Sequence, residues 1–172
     1  NSTLTGSFGL TLVSSTGLTF NGTVGTAALT NLDVTGATAI NANITTTGTQ
    51  TYHSAMTLGA NDVLTTTNSL VNFASTIDRD ATAARTLTVN SGTGGMTFSG
   101  NVGAGVNGAL GAIALTSTGA TTLAGTINAA SLSITGVGGT STLNGGTITT
   151  SGTQTYNNAV ILGADTILNT TN

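Results

Sequence analysis

The sequence contains no cysteine, proline, tryptophan, lysine or glutamate. Without cysteine, a disulfide framework and a thiolate metal site are both excluded. The only basic residues are Arg79 and Arg85, and charged residues make up 4% of the chain, against about 25% in ordinary globular domains. Because phosphate binding needs clustered Lys and Arg, the composition argues against a nucleic-acid partner.

Long hydrophobic runs are also missing. A transmembrane helix needs about 20 consecutive apolar residues, and no run approaches that length, so we expect no membrane insertion in this segment. The opening residues Asn1 to Leu4 show no basic n-region followed by an apolar h-region. For an exported protein, the targeting segment would therefore lie outside this sequence.

The residues that are abundant favour strands. Thr makes up about a quarter of the chain, and Gly supplies 25 residues. Thr, Gly, Asn and Ser are weak helix formers, whereas Thr and Val favour strands and Gly and Asn favour turns. The net charge is only −3 and the mean hydropathy is positive, which distinguishes the chain from disordered sequences.

The chain repeats itself. The segment 47–52 (TGTQTY) returns as 151–156 (SGTQTY) at an offset of 104, whereas 19–25 matches 97–103 at an offset of 78 and 35–38 matches 118–121 at 83. The offset therefore rises from 83 to 104 along the chain, and segments 122–125 and 142–145 are near copies of each other. Gain of a whole unit of about 20 residues explains both observations and is typical of a stacked repeat architecture.

Short alternating segments predict the strands of this stack. They are 10–12, 18–20, 87–89, 96–98, 132–134 and 147–149. Asn-Gly pairs and Gly-rich stretches between them supply corners with positive φ, although strand–Asn-Gly–strand is also a hairpin pattern. The periodicity favours an all-β fold, a right-handed parallel β-helix (β-solenoid) of about eight coils of roughly 20 residues. Residues 1–172 form one segment with sub-copies at about 1–68 and 69–172.

The segments 87–94, 96–103 and 149–165 resemble the repeat arrays of very large secreted bacterial surface proteins, the filamentous-haemagglutinin-like and autotransporter-like adhesins. The resemblance covers essentially the whole chain. It implies a β-helical stalk at the cell surface or outside the cell, with adhesive regions elsewhere. The secretion domain and β-barrel translocator of that family have no counterpart in the sequence.

One cluster of charges invites a catalytic interpretation. Asp78, Arg79 and Asp80, followed by Arg85, lie in a stretch that the first copy lacks. Aspartates two apart on a strand lie about 7 Å apart, within the separation of an inverting glycosidase pair. Ion pairing on a surface loop explains the same residues without catalysis, and calcium binding by Asp78 and Asp80 is a third interpretation.

The remaining candidates have structural explanations. The only histidine, His53, aligns with Asn157, so a surface turn is expected rather than a metal ligand or general base. Turn capping explains Asp62 and Asp165, and Asn61 is the residue that aligns with Asp165. Tyr52 and Tyr156 occupy equivalent positions in the repeat, which predicts a structural role for both.

These observations predict a structural protein rather than an enzyme, with no catalytic, metal or cofactor site. The expected partners are copies of itself or adjacent repeats, end to end, because Asn1 to Leu4 and Thr170 to Asn172 resemble the internal run 67–70. A glycan-binding or protein-binding adhesin surface is the alternative. An ice-binding face is a further one, suggested by the Thr-x-Thr segments at 47–51 and 153–155, but such pairs do not recur once per coil.

Overall fold

The computed structural model describes residues 3–171, which contain twenty-one strands and no helix. Every strand pairing is parallel, and the strands stack into a β-solenoid of about eight turns. This confirms the predicted all-β parallel architecture and shows that the hairpin interpretation of the Asn-Gly pairs is wrong. The terminal residues Asn1, Ser2 and Asn172 lie outside the described residues.

The strands lie on three faces of the solenoid. The first face contains eight strands: β1 (Leu10–Val13), β4 (Leu32–Thr35), β7 (Gln50–Tyr52), β10 (Val71–Phe73), β13 (Met96–Phe98), β15 (Ala120–Leu123), β17 (Thr140–Leu143) and β20 (Ala159–Leu162).

The second face begins with β2 (Leu18–Phe20), β5 (Thr38–Ile40), β8 (Met56–Leu58) and β11 (Ile77–Arg79). It continues through Val102, which bridges Ile77 and Ile127, and then through the first part of β16 (Ile127–Thr135), β18 (Gly146–Thr150) and β21 (Thr166–Thr170).

The third face contains β3 (Val24–Leu29), β6 (Ile44–Thr46), β9 (Asp62–Thr66), β12 (Leu87–Gly92), β14 (Leu110–Ser117), the second part of β16 and β19 (Gln154–Tyr156). Because β16 turns the corner without a break, it joins the second and third faces.

Coil length varies because the corners vary. Residues bonded across adjacent coils differ in sequence number by 18 at Asn31 and Thr49, and by 25 at Asn68 and Thr93. The near copies 122–125 and 142–145 lie directly above each other, with Leu123 paired to Leu143. The spacing of these two copies in the sequence is therefore one complete coil.

Strict alternation builds the core. In β9 and β12 every second side chain is buried, and the intervening side chains, Val63 and Thr65 in β9 and Thr88 and Asn90 in β12, lie towards the outer surface. Stacking coils in register then aligns the inward residues in columns. One such column runs along the third face: Val24, Ile44, Leu64, Val89, Leu115 and Ile134. All of these are buried, so the core is a continuous apolar rod rather than a compact globular interior.

Glycine opens the corners where the coils come closest. At Gly136 φ is +146°, and a Cβ atom there would lie 1.6 Å from the carbonyl oxygen of Ser117 in the preceding coil. Gly108 and Gly145 of the Asn-Gly pairs also have positive φ, as the sequence predicts, whereas in the pair Asn21-Gly22 the glycine does not and the prediction is wrong there.

The two copies of the repeat lie on different faces of the solenoid. Gln50 is in register with Val71, Met96, Thr121 and Ser141, so four complete coils lead from Gln50 to Ser141 on the first face. Gln154 then follows two faces later, on the third face. The aromatic pair behaves in the same way, since Phe20 lies on the second face and Phe98 on the first. The sequence repeat is therefore one face out of phase with the coil.

A buried polar contact accompanies this repeat, and we call it the Gln–Tyr latch. Tyr52 Oη donates to Gln50 Oε1 at 3.0 Å, and Gln50 Nε2 donates to the carbonyl of Thr65 at 2.9 Å. The second copy has the same latch, with Tyr156 Oη on Gln154 Oε1 at 3.1 Å and Gln154 Nε2 on the carbonyl of Asn169 at 2.9 Å. Local strand and corner geometry is thus preserved although the face has changed.

Removing the hydroxyl of Tyr52 is expected to destabilise the fold more than removing that of Tyr156. Tyr52→Phe leaves the buried Gln50 Oε1 without its donor, which costs about 1–3 kcal/mol of unfolding free energy. Tyr156 is only partly buried, so water replaces the lost donor and Tyr156→Phe should cost less than about 1 kcal/mol. Urea denaturation of both variants measures the difference, and equal losses would contradict the latch.

Candidate functional site

Two insertions lie beside each other at the corner between the second and third faces. Loop 80–86 follows β11, and loop 103–109 leaves the second face in the next coil. They belong to the two longest coils, in which Val71 is in register with Met96 and Met96 with Thr121. Insertions in repeat proteins often collect on the binding face, so this corner is the first place to look for a site.

The first insertion is closed by an ion pair. Arg85 Nε and Nη2 donate to Asp80 Oδ1 and Oδ2 at 3.0 and 2.7 Å, and the hydroxyl of Thr82 donates to Asp80 Oδ2 at 2.7 Å. The hydrogen bonds from Arg85 and Thr82 hold the pKa of Asp80 well below its usual range, and the Asp80 carboxylate in turn raises the pKa of Arg85.

The second insertion is fastened to the first. Asp78 Oδ1 accepts the N–H of Gly105 at 2.7 Å, and Arg79 Nε donates to the carbonyl of Ala109 at 3.0 Å. Asn107 Nδ2 returns a bond to the carbonyl of Arg79 at 2.8 Å. All four charged residues that the sequence singled out are thus brought together, and they brace two loops on adjacent coils.

This arrangement does not have the electrostatics of a glycosidase acid. A general acid in that chemistry needs a raised pKa, whereas Arg85 lowers the pKa of Asp80. Among residues 3–171, no three His, Cys, Asp or Glu side chains gather as a metal site would require. The contacts favour a structural role for the cluster.

His53 lies on the outer surface, as the sequence predicts. Its Nε2 is 3.0 Å from Asp33 Oδ1 on the preceding coil, and both side chains are about half exposed. An exposed pair of this kind contributes little to stability.

Asp62 is buried in the core rather than placed at a surface turn. Turn capping was predicted, but the side chain points into the core, is 1% exposed and has no hydrogen bond of normal geometry on either oxygen. Burial raises the pKa of Asp62 to about 7, although the backbone at Ala60 and the charge of Arg85 act in the opposite direction. Burial, and then the nearby Asp62, raises the pKa of Tyr52. Asp165, the other predicted cap, lies on the exposed surface.

Asparagines form a ladder along the corners. Each member accepts the backbone N–H of a residue one coil later. Four of these bonds measure 3.0 Å: Asn43 with Val63, Asn61 with Thr86, Asn68 with Thr93, and Asn101 with Thr126. Asn31 with Thr49 repeats the pattern at 2.9 Å. Because the backbone offers a donor, the amide oxygen must face it, and the amide nitrogen is left for other contacts.

An open groove of about 440 Å³ follows this ladder on the first three coils, at the same corner as the insertions. Its lining is uncharged: Thr3, Asn21, Gly22, Thr23, Asn41, Ala42, Asn43 and Asn61. Loop 80–86 ends against the groove, since the N–H of Thr86 is held by Asn61. Its volume falls in the range of about 300–1,000 Å³ typical of small-molecule sites.

The Thr-x-Thr segments do not form one array. Thr51 is an outward residue of the first face, whereas Thr155 belongs to the third face. The rotation of the repeat therefore separates the segments that suggested an ice-binding surface.

Comparison with family models, curated proteins and solved structures finds no match for this chain. No helix among residues 3–171 is long and apolar enough to cross a membrane.

Three features were not predicted from the sequence: the row of groove asparagines, the buried contact of Gln50 and the burial of Asp62. The groove asparagines carried a signal, because Asn21, Asn41 and Asn61 recur at a constant spacing, one coil apart. Gln50 also carried one, because it returns as Gln154 within a duplicated motif. The burial of Asp62 has no signal in the sequence, since a single Asp that follows Asn in a turn-like segment is typical of a turn cap.

Proposed function

We propose that this chain is a rigid, weakly charged structural segment of an extracellular surface or filament protein, built to be extended by further coils stacked end to end. The extracellular setting follows from the resemblance to adhesin stalks and from the near absence of charged side chains. In the charged cluster, the hydrogen bonds from Arg85 lower the pKa of Asp80, which is the opposite of what a general acid needs and supports a non-enzymatic role.

The observation that carries this proposal is the exposed apolar end of the last described coil. Leu162 continues the buried column of Leu143, and Leu168 continues that of Ile148, yet they are 63% and 52% exposed. In every inner coil the matching positions are covered by the next strand. Strand edges with apolar side chains pair readily with another chain.

Tyr156 indicates what covers this end. Its equivalent, Tyr52, is covered by Phe73 of the following coil, with ring centroids 5.4 Å apart and planes 9° from parallel. Phe98 extends that stack at 4.8 Å. Tyr156 is only half-buried, so a coil of the same kind, with an aromatic residue in register, would complete the same arrangement.

A pair of lysine variants tests the stacking. Leu162→Lys places a charge on the end face, whereas Ile161→Lys places one on the outer surface of the same strand, because Ile161 pairs with the outward Thr142. Sedimentation velocity and electron microscopy of the unmodified chain should detect particles longer than one rod of about 40 Å, which is eight coils at about 4.8 Å each.

Leu162→Lys is expected to reduce these particles to single rods, since burying an unpaired ammonium is strongly unfavourable. Ile161→Lys should leave assembly unchanged. Single rods at every concentration of the unmodified chain, or equal effects of both lysines, would contradict end-to-end stacking.

A further inference from the structure

We propose that the groove lined by Asn21, Asn41, Asn43 and Asn61 is a binding site for a neutral saccharide bearing N-acetyl groups. This role is separate from end-to-end stacking, because the groove lies on the first three coils and the exposed apolar end on the last.

The first support is the direction of the amide groups. Asn43 and Asn61 use their oxygens to accept the N–H groups of Val63 and Thr86, both at 3.0 Å. Asn41 Nδ2 donates to Asn21 Oδ1 at 2.6 Å, which occupies the oxygen of Asn21. Within residues 3–171, no hydrogen bond uses Nδ2 of Asn21, Asn43 or Asn61. The groove therefore presents a row of amide donors whose acceptors are already engaged.

The second support is the charge of the lining. None of its side chains is ionisable, so nothing in the groove offers an ion pair to a phosphate, sulfate or ammonium group. Uncharged donors fit uncharged acceptors: the carbonyl of an acetamido group first, then ether and hydroxyl oxygens. An oligosaccharide repeats such acceptors from ring to ring, and each of the first three coils, stacked about 4.8 Å apart, contributes one free amide donor.

The third support is rigidity. The donors are fixed by the coil-to-coil bonds that hold the ladder. Loop 80–86, whose Thr86 N–H is held by Asn61, is closed by the bidentate Asp80–Arg85 pair. A site whose side chains are already ordered loses less entropy when it binds a ligand.

The experiment uses side-chain amide NMR with chitotetraose as the probe, compared with cellotetraose, which lacks acetamido groups, and tetragalacturonate, which is anionic. If the chain assembles, Leu162→Lys at the opposite end keeps it monomeric. We expect saturable shifts of the groove amides with chitotetraose and binding at least a few-fold weaker for the other two.

Asn61→Asp is the decisive variant, because it keeps an oxygen for the N–H of Thr86 and replaces the free amide donor by an anionic oxygen that repels the carbonyl of an acetamido group; Asp165 shows that the repeat accepts Asp at this position. Asn101→Asp is its control, since Asn101 holds Thr126 by the same 3.0 Å bond outside the groove. Asn61→Asp should raise the Kd about tenfold and Asn101→Asp less than about twofold. No saturable shift, shifts mapping outside the groove, tighter binding of either comparison sugar, or equal effects of both variants would overturn the proposal.

Discussion

Replacing Phe73 by alanine is expected to lower the free energy of unfolding by about 3–5 kcal/mol, the range measured for buried aromatic residues. Phe73 is 1% exposed and lies between the rings of Tyr52 and Phe98, so its removal opens a cavity and breaks two stacked contacts at once. Urea denaturation followed by circular dichroism measures the loss.

Phe8→Ala is the matched control for Phe73→Ala. Phe8 is 80% exposed, so its removal should change stability by less than about 0.5 kcal/mol. Because coils contact mainly their neighbours, hydrogen exchange in Phe73→Ala should accelerate most in the coils around β7, β10 and β13. A loss below about 1 kcal/mol would mean that the stack is not a principal source of stability.

The second large effect is a dependence of stability on pH that comes from Asp62. In the unfolded chain this carboxyl titrates near 3.8, and in the folded protein its pKa is about 7. Between these values the folded state binds the extra proton, so stability falls as pH rises from about 4 to about 7 and is level above that. Three pH units correspond to about 4 kcal/mol.

Asp62→Thr should remove this dependence. Thr is the residue at the equivalent position of the second copy, where the hydroxyl of Thr166 donates to the carbonyl of Ala164 at 3.1 Å. Relative to the unmodified chain, the variant should therefore gain several kcal/mol more at pH 8 than at pH 4. Asp165→Thr changes an exposed acid and serves as control. A stability difference that is the same at both pH values would show that Asp62 is ionised in the folded state.

The architecture could be predicted because the coils of a β-solenoid have similar residue patterns, so the period of the fold is visible in the sequence. Alternation in segments such as 87–89 sets which side chains are buried, and copies one period apart, such as 122–125 and 142–145, set the coil. Neither signal specifies the face of a strand. That depends on the number of corners between two segments, and the corners here have different lengths. The rotation of Tyr156 relative to Tyr52 was therefore hidden in the sequence.

The site was predicted in part for a similar reason. Charged residues are so rare that Asp78, Arg79, Asp80 and Arg85 stood out, and they do cluster. The burial of Asp62 could not be predicted, because alternate side chains of β9 point to opposite sides of the strand. A shift of the alternation by one residue would have placed the Asp62 side chain on the outer surface. Such a shift is fixed by the length of the preceding corner, which carries no distinct residue signature.

The one-face offset between the repeat and the coil shows that a repeated segment need not span a whole number of turns, since the same sequence forms a strand on one face in its first copy and on another face in its second. A copy placed with this offset still continues the rod. In an array grown by this step, each new copy presents its features on the neighbouring side, and the fourth copy returns to the side of the first. Side chains that lie close together within each copy would then recur along a spiral around the rod, accessible from all directions.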